Sequence, residues 1–189
     1  MMSILKSIEP RDYQRIIAET AKQKNTLVVL PTGMGKTLIA ILVALDRLEK
    51  HPESKILIMA PTRPLNAQHK KSFEKHTDIA TDEILLLTGK ISPEERAKLY
   101  NYAKVVVATP QTIENDLEHG RLHLENFSLA VFDEAHRSVK DYSYPYVAKR
   151  FMLQSRSPLI LALTASPGAS AEKIKEITDS LFIKAVEIR

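Results

Sequence analysis

Leu30-Pro31-Thr32-Gly33-Met34-Gly35-Lys36-Thr37 lies between an apolar run, Thr26 to Leu30, and a segment in which Leu38, Ile41, Leu42, Leu45 and Leu48 recur at spacings of three and four. The stretch therefore joins a buried strand to an amphipathic helix over Thr37 to Lys50. Glycine at 33 and 35 permits turns that aim several backbone N–H groups inward, and the start of the helix adds its partial positive charge. Together they make a cradle for phosphate, with the Lys36 ammonium on the terminal phosphates and the Thr37 hydroxyl on Mg²⁺. The strict pattern asks for glycine where Leu30 stands, but that position only hands the strand over to the loop. The competing reading is a tight strand-to-helix turn with a solvated Lys36.

Working outward, further short runs rich in Val, Ile and Leu occur at Lys55 to Ala60, Ile84 to Thr88, Val105 to Ala108, Leu129 to Phe132 and Leu159 to Leu163. Each ends in a turn signal that can begin a helix, and Ser92 to Tyr102 opens with Ser, Pro and two Glu, good first-turn chemistry. Strands apolar on both faces alternating with helices predict an α/β fold with a mostly parallel sheet, whose ligands bind at the carboxyl ends of the strands. The 189 residues, 44% hydrophobic and 26% charged, fit one soluble domain over 1–189. No run approaches the ~18 apolar residues of a membrane helix, so a cytoplasmic protein is expected. The absence of cysteine excludes disulfides, thiolate zinc sites and a cysteine nucleophile. A net charge of +4 leans weakly toward phosphate-backbone partners.

Leu129-Ala130-Val131-Phe132 runs directly into Asp133-Glu134-Ala135-His136. Two carboxylates at the end of an apolar strand are costly to desolvate, and a metal ion would offset that cost. In this reading Asp133 holds Mg²⁺ and Glu134 orients or deprotonates the attacking water. Leu163-Thr164-Ala165-Ser166 ends another strand with two hydroxyls, either for the acidic segment and His136 or simply for capping the next helix. Gln14 in Arg11-Asp12-Tyr13-Gln14 either presents its amide to adenine or is solvated on an amphipathic helix.

The ordered set resembles superfamily 2 helicases of the DEAH type. Arg11 to Gln14 is similar to their adenine motif, Pro31 to Thr37 to motif I, Ala60-Pro61-Thr62-Arg63-Pro64-Leu65 to motif Ia, and Thr88-Gly89 to the Thr-Gly element. Ala108-Thr109-Pro110-Gln111 resembles motif Ib, Asp133 to His136 motif II, and Thr164 to Ser166 motif III. Asp-Glu-Ala-His-Arg followed by Leu-Thr-Ala-Ser-Pro-Gly is most similar to the branch of archaeal Hef-type and Fanconi-anaemia M-type DNA translocases, with Dicer-like and RNA-sensor helicases as near relatives.

The resemblance covers essentially the whole chain. It implies a first RecA-like P-loop NTPase domain that binds ATP with Mg²⁺ and drives a helicase or translocase on branched or forked DNA, with a role in DNA repair. The second RecA-like domain, with its arginine fingers, has no counterpart after Ser166, so this chain is expected to be half of a motor and weakly active alone. A nuclease module in the same polypeptide is also within what the resemblance implies. Thr62, Arg63, Thr88, Gly89, Thr109 and Gln111 would grip the nucleic-acid backbone without reading bases, while His136, Thr164 and Ser166 would relay the state of the γ-phosphate.

The alternatives are an ATP-gated binding module without unwinding, an RNA helicase of the Dicer and RNA-sensor branch, and a P-loop NTPase acting on small molecules or proteins. Lys70-Lys71 reads either as part of the grip or as a solvated face. Tyr142, Tyr144 and Tyr146 read either as a stacking platform or as loop packing. His69, His76, His119 and His123 lack metal-ligand spacing and are expected at the surface.

Overall fold

The computed structural model describes residues 5–139, 143–165 and 170–189. Seven strands, β1 (Thr26–Val29), β2 (Lys55–Met59), β3 (Ile84–Leu87), β4 (Val105–Ala108), β5 (Phe127–Phe132), β6 (Ile160–Thr164) and β7 (Ala185–Ile188), form one sheet. Its order is β3-β4-β2-β5-β6-β1-β7, and every neighbouring pair is parallel. The helices are α1 (Asp12–Ala21), α2 (Lys36–Lys50), α3 (Arg63–His76), α4 (Pro93–Tyr102), α5 (Pro110–Glu118), α6 (Ser143–Gln154) and α7 (Ala171–Ser180).

The pleat sends alternate residues of each strand to opposite faces, and both faces are covered. Leu27, Val29, Leu57, Met59, Ala130, Phe132 and Ala162 pack against α5, α6 and α7. Val28, Ile56, Ile58, Val131, Leu161 and Leu163 pack against α1, α2 and α3. That two-sided burial is why the strands read as unbroken apolar runs. No helix among the described residues is long and apolar enough to cross a membrane.

The expected elements stand with small shifts. α2 begins at Lys36, and α4 begins after Ser92, whose hydroxyl accepts from the Glu95 N–H at 3.2 Å. β5 starts two residues before the expected Leu129, because Ser128 interrupts the apolar run in sequence but is buried in the strand, its hydroxyl against that of Ser54. Strand β7 goes beyond the runs read from sequence. Among the described residues it pairs only with β1; it is short, with Glu187 inside it and Val186 and Ile188 exposed, so it lacks the unbroken apolar run that marks the inner strands.

Sheet order places the sequence candidates in two blocks. The proposed grip residues follow β3, β4 and β2, at one end of the sheet. The cradle, the acidic pair and Thr164 follow or end β1, β5 and β6. Strands β2 and β5 are neighbours, so the blocks meet there.

Candidate nucleotide site and nucleic-acid face

The cradle is built from its glycines. Gly33 and Gly35 have φ of +85° and +79°, the left-handed region open to glycine at no steric cost. Gly35 is also the N-cap of α2, so the last loop residue turns straight into the helix. A β-carbon on Gly35 would lie 2.2 Å from Nε2 of Gln14. Gln14 is buried rather than solvated: its amide donates to the carbonyls of Met34 and Gly35, both at 3.3 Å, and its oxygen accepts from Arg11 N–H at 2.8 Å. Tyr13 adds a hydroxyl bond to the Met34 carbonyl at 2.7 Å. α1 thus supports the loop from the side away from its open face, where Pro31, Thr32 and Gly33 are exposed and Lys36 and Thr37 half-buried.

Lys36 folds back on its own loop, donating to the carbonyls of Leu30 at 2.8 Å and Pro31 at 3.3 Å. Burial pushes its pKa down, while the charges of Asp133 and Glu134 oppose that shift. The basic loop and the acidic turn therefore share one electrostatic neighbourhood, although they are about a hundred residues apart in sequence.

The acidic turn is tightly held. Asp133 N–H extends the β2–β5 pairing by donating to the Met59 carbonyl at 2.8 Å. Tyr144 donates to the Asp133 carbonyl at 2.5 Å and to the Met59 carbonyl at 3.1 Å, with its ring edge-on to Phe132 at 5.1 Å. Tyr144 is thus a buried brace for the turn; Tyr146 instead stacks under the Arg150 guanidinium at 5.7 Å, and Tyr142 lies outside the described residues. Glu134 sits at φ +53°, a conformation that costs an L-residue of order 1 kcal/mol and collects at functional turns. Its N–H donates to Oδ1 of Asp133 at 2.8 Å. Oδ2 of Asp133 lies 2.7 Å from Nε2 of His69.

His136 connects the turn to β6. Its Nδ1 is 3.0 Å from the Thr164 hydroxyl, and its Nε2 is 3.5 Å from a Glu134 carboxylate oxygen. The structure brings Glu134, His136 and Thr164 into one chain of contacts. Ser166 lies outside the described residues.

His69 corrects an expectation. It is 4% exposed, not a surface residue, whereas His119 and His123 are exposed. The missed signal is a stripe on α3: Asn66, His69 and Phe73, at spacings of three and four, are the buried residues of that helix. Asn66 locks the first turn of α3 to the end of β2, bonding both the N–H and the carbonyl of Ala60 at 3.0 and 2.9 Å. Lys70 is half-buried and engaged with the Ile84 carbonyl and Glu74; Lys71 is exposed.

The grip candidates form the neighbouring edge. Thr62, Arg63, Gly89 and Gln111 are exposed and Thr88 and Thr109 half-buried, each just past the carboxyl end of its strand. Thr62 caps α3 by accepting from Leu65 N–H at 3.5 Å, and Thr109 meets Thr112 at 3.0 Å. A groove of about 360 Å³ at the amino ends of β2, β5 and β6, lined by Lys50, His51, Glu125 and Arg156, gathers none of these groups, so chemistry rather than concavity locates the site.

Residues 11–174 match the model of the DEAD/DEAH box helicase family. The chain belongs to that family. The family implies nucleotide binding, and the cradle's place at the start of α2 fits it. The helicase domain of Pyrococcus furiosus Hef superposes with a TM-score of 0.94 at 50% identity, over 98% of this chain and 39% of that one. A Methanocaldococcus jannaschii protein provisionally named an ATP-dependent RNA helicase is 48% identical, over 97% of this chain and 23% of its own length. An ATP-dependent DNA helicase of Candida albicans is 44% identical, over 97% of this chain and 15% of its own length. The chain thus spans less than a quarter of those two relatives.

Proposed function

We propose that this chain is the first RecA-like half of an ATP-driven motor that moves on DNA, completed by a second RecA-like domain. One observation carries the reading: Lys36, beside Thr37 at the start of α2, shares an electrostatic neighbourhood with Asp133 and Glu134, and Glu134 is joined through His136 to Thr164.

In this reading the backbone N–H groups of the cradle receive the phosphates, and Lys36 exchanges the carbonyls of Leu30 and Pro31 for phosphate oxygens. Gln14 and Tyr13 hold the loop while that exchange occurs, and Gln14 would meet the adenine through its amide only by releasing the carbonyls of Met34 and Gly35. Thr37 and Asp133 would hold Mg²⁺; Asp133 fits that role because, among the described residues, protein donors occupy only one direction on each of its oxygens. Bound there, the ion would neutralise charge developing on the phosphates. Glu134 orients the attacking water and accepts its proton. His136 and Thr164, with Ser166, carry the change in γ-phosphate state toward the sheet edge. At that edge Thr62, Arg63, Thr88, Gly89, Thr109 and Gln111 bind the sugar-phosphate backbone without base readout. A water-activating carboxylate in the turn favours turnover over an ATP-gated clamp.

DNA is favoured by the name of the Candida albicans relative, and the name of the Methanocaldococcus jannaschii relative keeps RNA as the second reading. The test is ATP hydrolysis by the whole motor with forked DNA, single-stranded DNA or double-stranded RNA. Forked DNA should stimulate most. Lys36→Ala should abolish nucleotide binding, and Glu134→Gln should bind and lose about 10²- to 10⁴-fold in turnover. Stimulation by RNA alone moves the protein to the RNA branch; unchanged ATP affinity in Lys36→Ala overturns the cradle assignment.

A further inference from the structure

The contact between His69 and Asp133 uses neither the cradle nor the relay, and nothing in the local sequence around either residue announces it. His69 sits on the second turn of α3, 64 residues before Asp133. Asn66 fixes the first turn to β2 through both polar groups of Ala60, and Phe73, one turn beyond His69, is itself fully buried. Held at both ends of its stripe, the imidazole has its Nε2 aimed at Oδ2 of Asp133, with side-chain exposures of 5% and 12%.

The other ring nitrogen, Nδ1, has no hydrogen-bond partner among the described residues and almost no contact with solvent. A buried ring nitrogen left unsatisfied is destabilising, because it gives up its bonds to water and gains none in return. An imidazole used only to fill space would be better replaced by an apolar side chain. The cost is sustained by the one bond His69 makes, and that bond ends on the carboxylate that would hold Mg²⁺. With Nε2–H donating to Oδ2 and the Glu134 N–H donating to Oδ1, the carboxylate has a donor on each oxygen. Its rotation is fixed, and the remaining lone pairs are left for a ligand.

We propose that His69 is a positioning residue that presents the carboxylate of Asp133 to the metal of the bound nucleotide. The inference rests on the nucleotide-site reading above. His69 itself does not touch nucleotide or metal; it acts through Asp133, as hydrogen-bond partners of metal-binding carboxylates do.

The test compares affinity for a fluorescent ADP analogue with Mg²⁺ and with EDTA in the full chain, for wild type, His69→Gln and His69→Asn. A glutamine can place its amide N–H near the position of Nε2, whereas asparagine is too short to reach Oδ2. His69→Asn should lose about 10-fold of the Mg²⁺-supported affinity and stay within about two-fold of wild type in EDTA, and His69→Gln should recover most of the loss. Equal losses in both variants, or a loss of the same size in EDTA, would show that the ring serves packing and overturn the proposal. A second readout needs no variant: ¹⁵N resonances of the wild-type His69 ring should shift when Mg²⁺ is added to the ADP-bound chain, and an unmoved ring overturns the proposal even if the substitutions fail to fold. If wild-type binding is itself indifferent to Mg²⁺, the nucleotide-site reading fails and this inference falls with it. If wild type responds and His69→Asn responds equally, only the inference fails.

Discussion

Asp116 and Asp133 are both buried in this domain, and they are treated in opposite ways. Asp116, on α5, is fully buried and accepts four bonds: two from Arg96 at 2.8 Å, one from Tyr100 at 2.5 Å and one from Arg121 at 3.0 Å. A carboxylate has about four acceptor positions, so Asp116 is saturated. Arg96 is anchored in turn on the Ile91 carbonyl. Among the described residues, the carboxylate of Asp133 accepts only two bonds, and its side chain keeps 12% exposure where Asp116 has none. The first arrangement clamps α4 to α5 beneath the grip edge. The second keeps acceptor capacity in reserve at a strained turn, as a ligand site requires.

The comparison predicts unequal costs. Removing one partner of a buried, satisfied ion pair strands the other charges, so Asp116→Ala should lower unfolding free energy by about 3–5 kcal/mol in urea. A loss below about 1 kcal/mol would break the distinction between the two aspartates.

Acid titration sharpens it. Burial, the largest single influence, pushes the Asp116 carboxyl up, but the bonds from Arg96, Tyr100 and Arg121 together outweigh it and hold the group below the usual carboxylate range. Between the folded and unfolded pKa values the unfolded chain binds more protons, so stability rises with pH there. The contribution is whole above the ordinary value of about 3.9 and is lost as pH falls through the lower folded value. Asp116→Asn should flatten that part of the acid limb, and an unchanged limb would contradict the assignment.

Gly35→Ala should cost about 2 kcal/mol, from the positive φ and the approach to Gln14. Adding Gln14→Ala should return the contact part and leave the backbone part; full recovery would mean that φ is not strained. Tyr144→Phe, which removes the donor to Asp133 and Met59, should cost about 1 kcal/mol and weaken Mg²⁺-supported nucleotide binding more than binding in EDTA. Smallest is Asp133→Asn, which relieves a partly desolvated charge and should change stability by less than about 1 kcal/mol while Mg²⁺ dependence is lost, the usual sign of a residue kept for function. A stability loss as large as that of Asp116→Ala would place both aspartates in the same structural class.

Residues near in sequence and bound by local backbone rules are legible from the chain alone. The cradle is one contiguous loop, so the turn through Gly33 and Gly35 and the helix that starts at Lys36 are declared by spacing. The inner strands declare themselves by burial on both faces, and Ser92 by its place ahead of Pro93 and two glutamates. Strand β7 escapes such a reading because an edge strand lacks that burial. Gln14 admits two readings because local sequence does not say whether a helical side chain meets solvent or a loop twenty residues away.

The tertiary structure alone decided what meets across the sheet. Nothing in the order of residues says that β2 lies beside β5, yet that adjacency carries α3 to the acidic turn and sets His69 against Asp133. The same folding closes Arg96, Tyr100 and Arg121 around Asp116. Sequence by itself determined which groups can carry the chemistry, because backbone conformation and periodicity are local. Strand order decided which carboxylate is saturated and which stays open, because burial and hydrogen-bond capacity depend on neighbours brought from elsewhere in the chain.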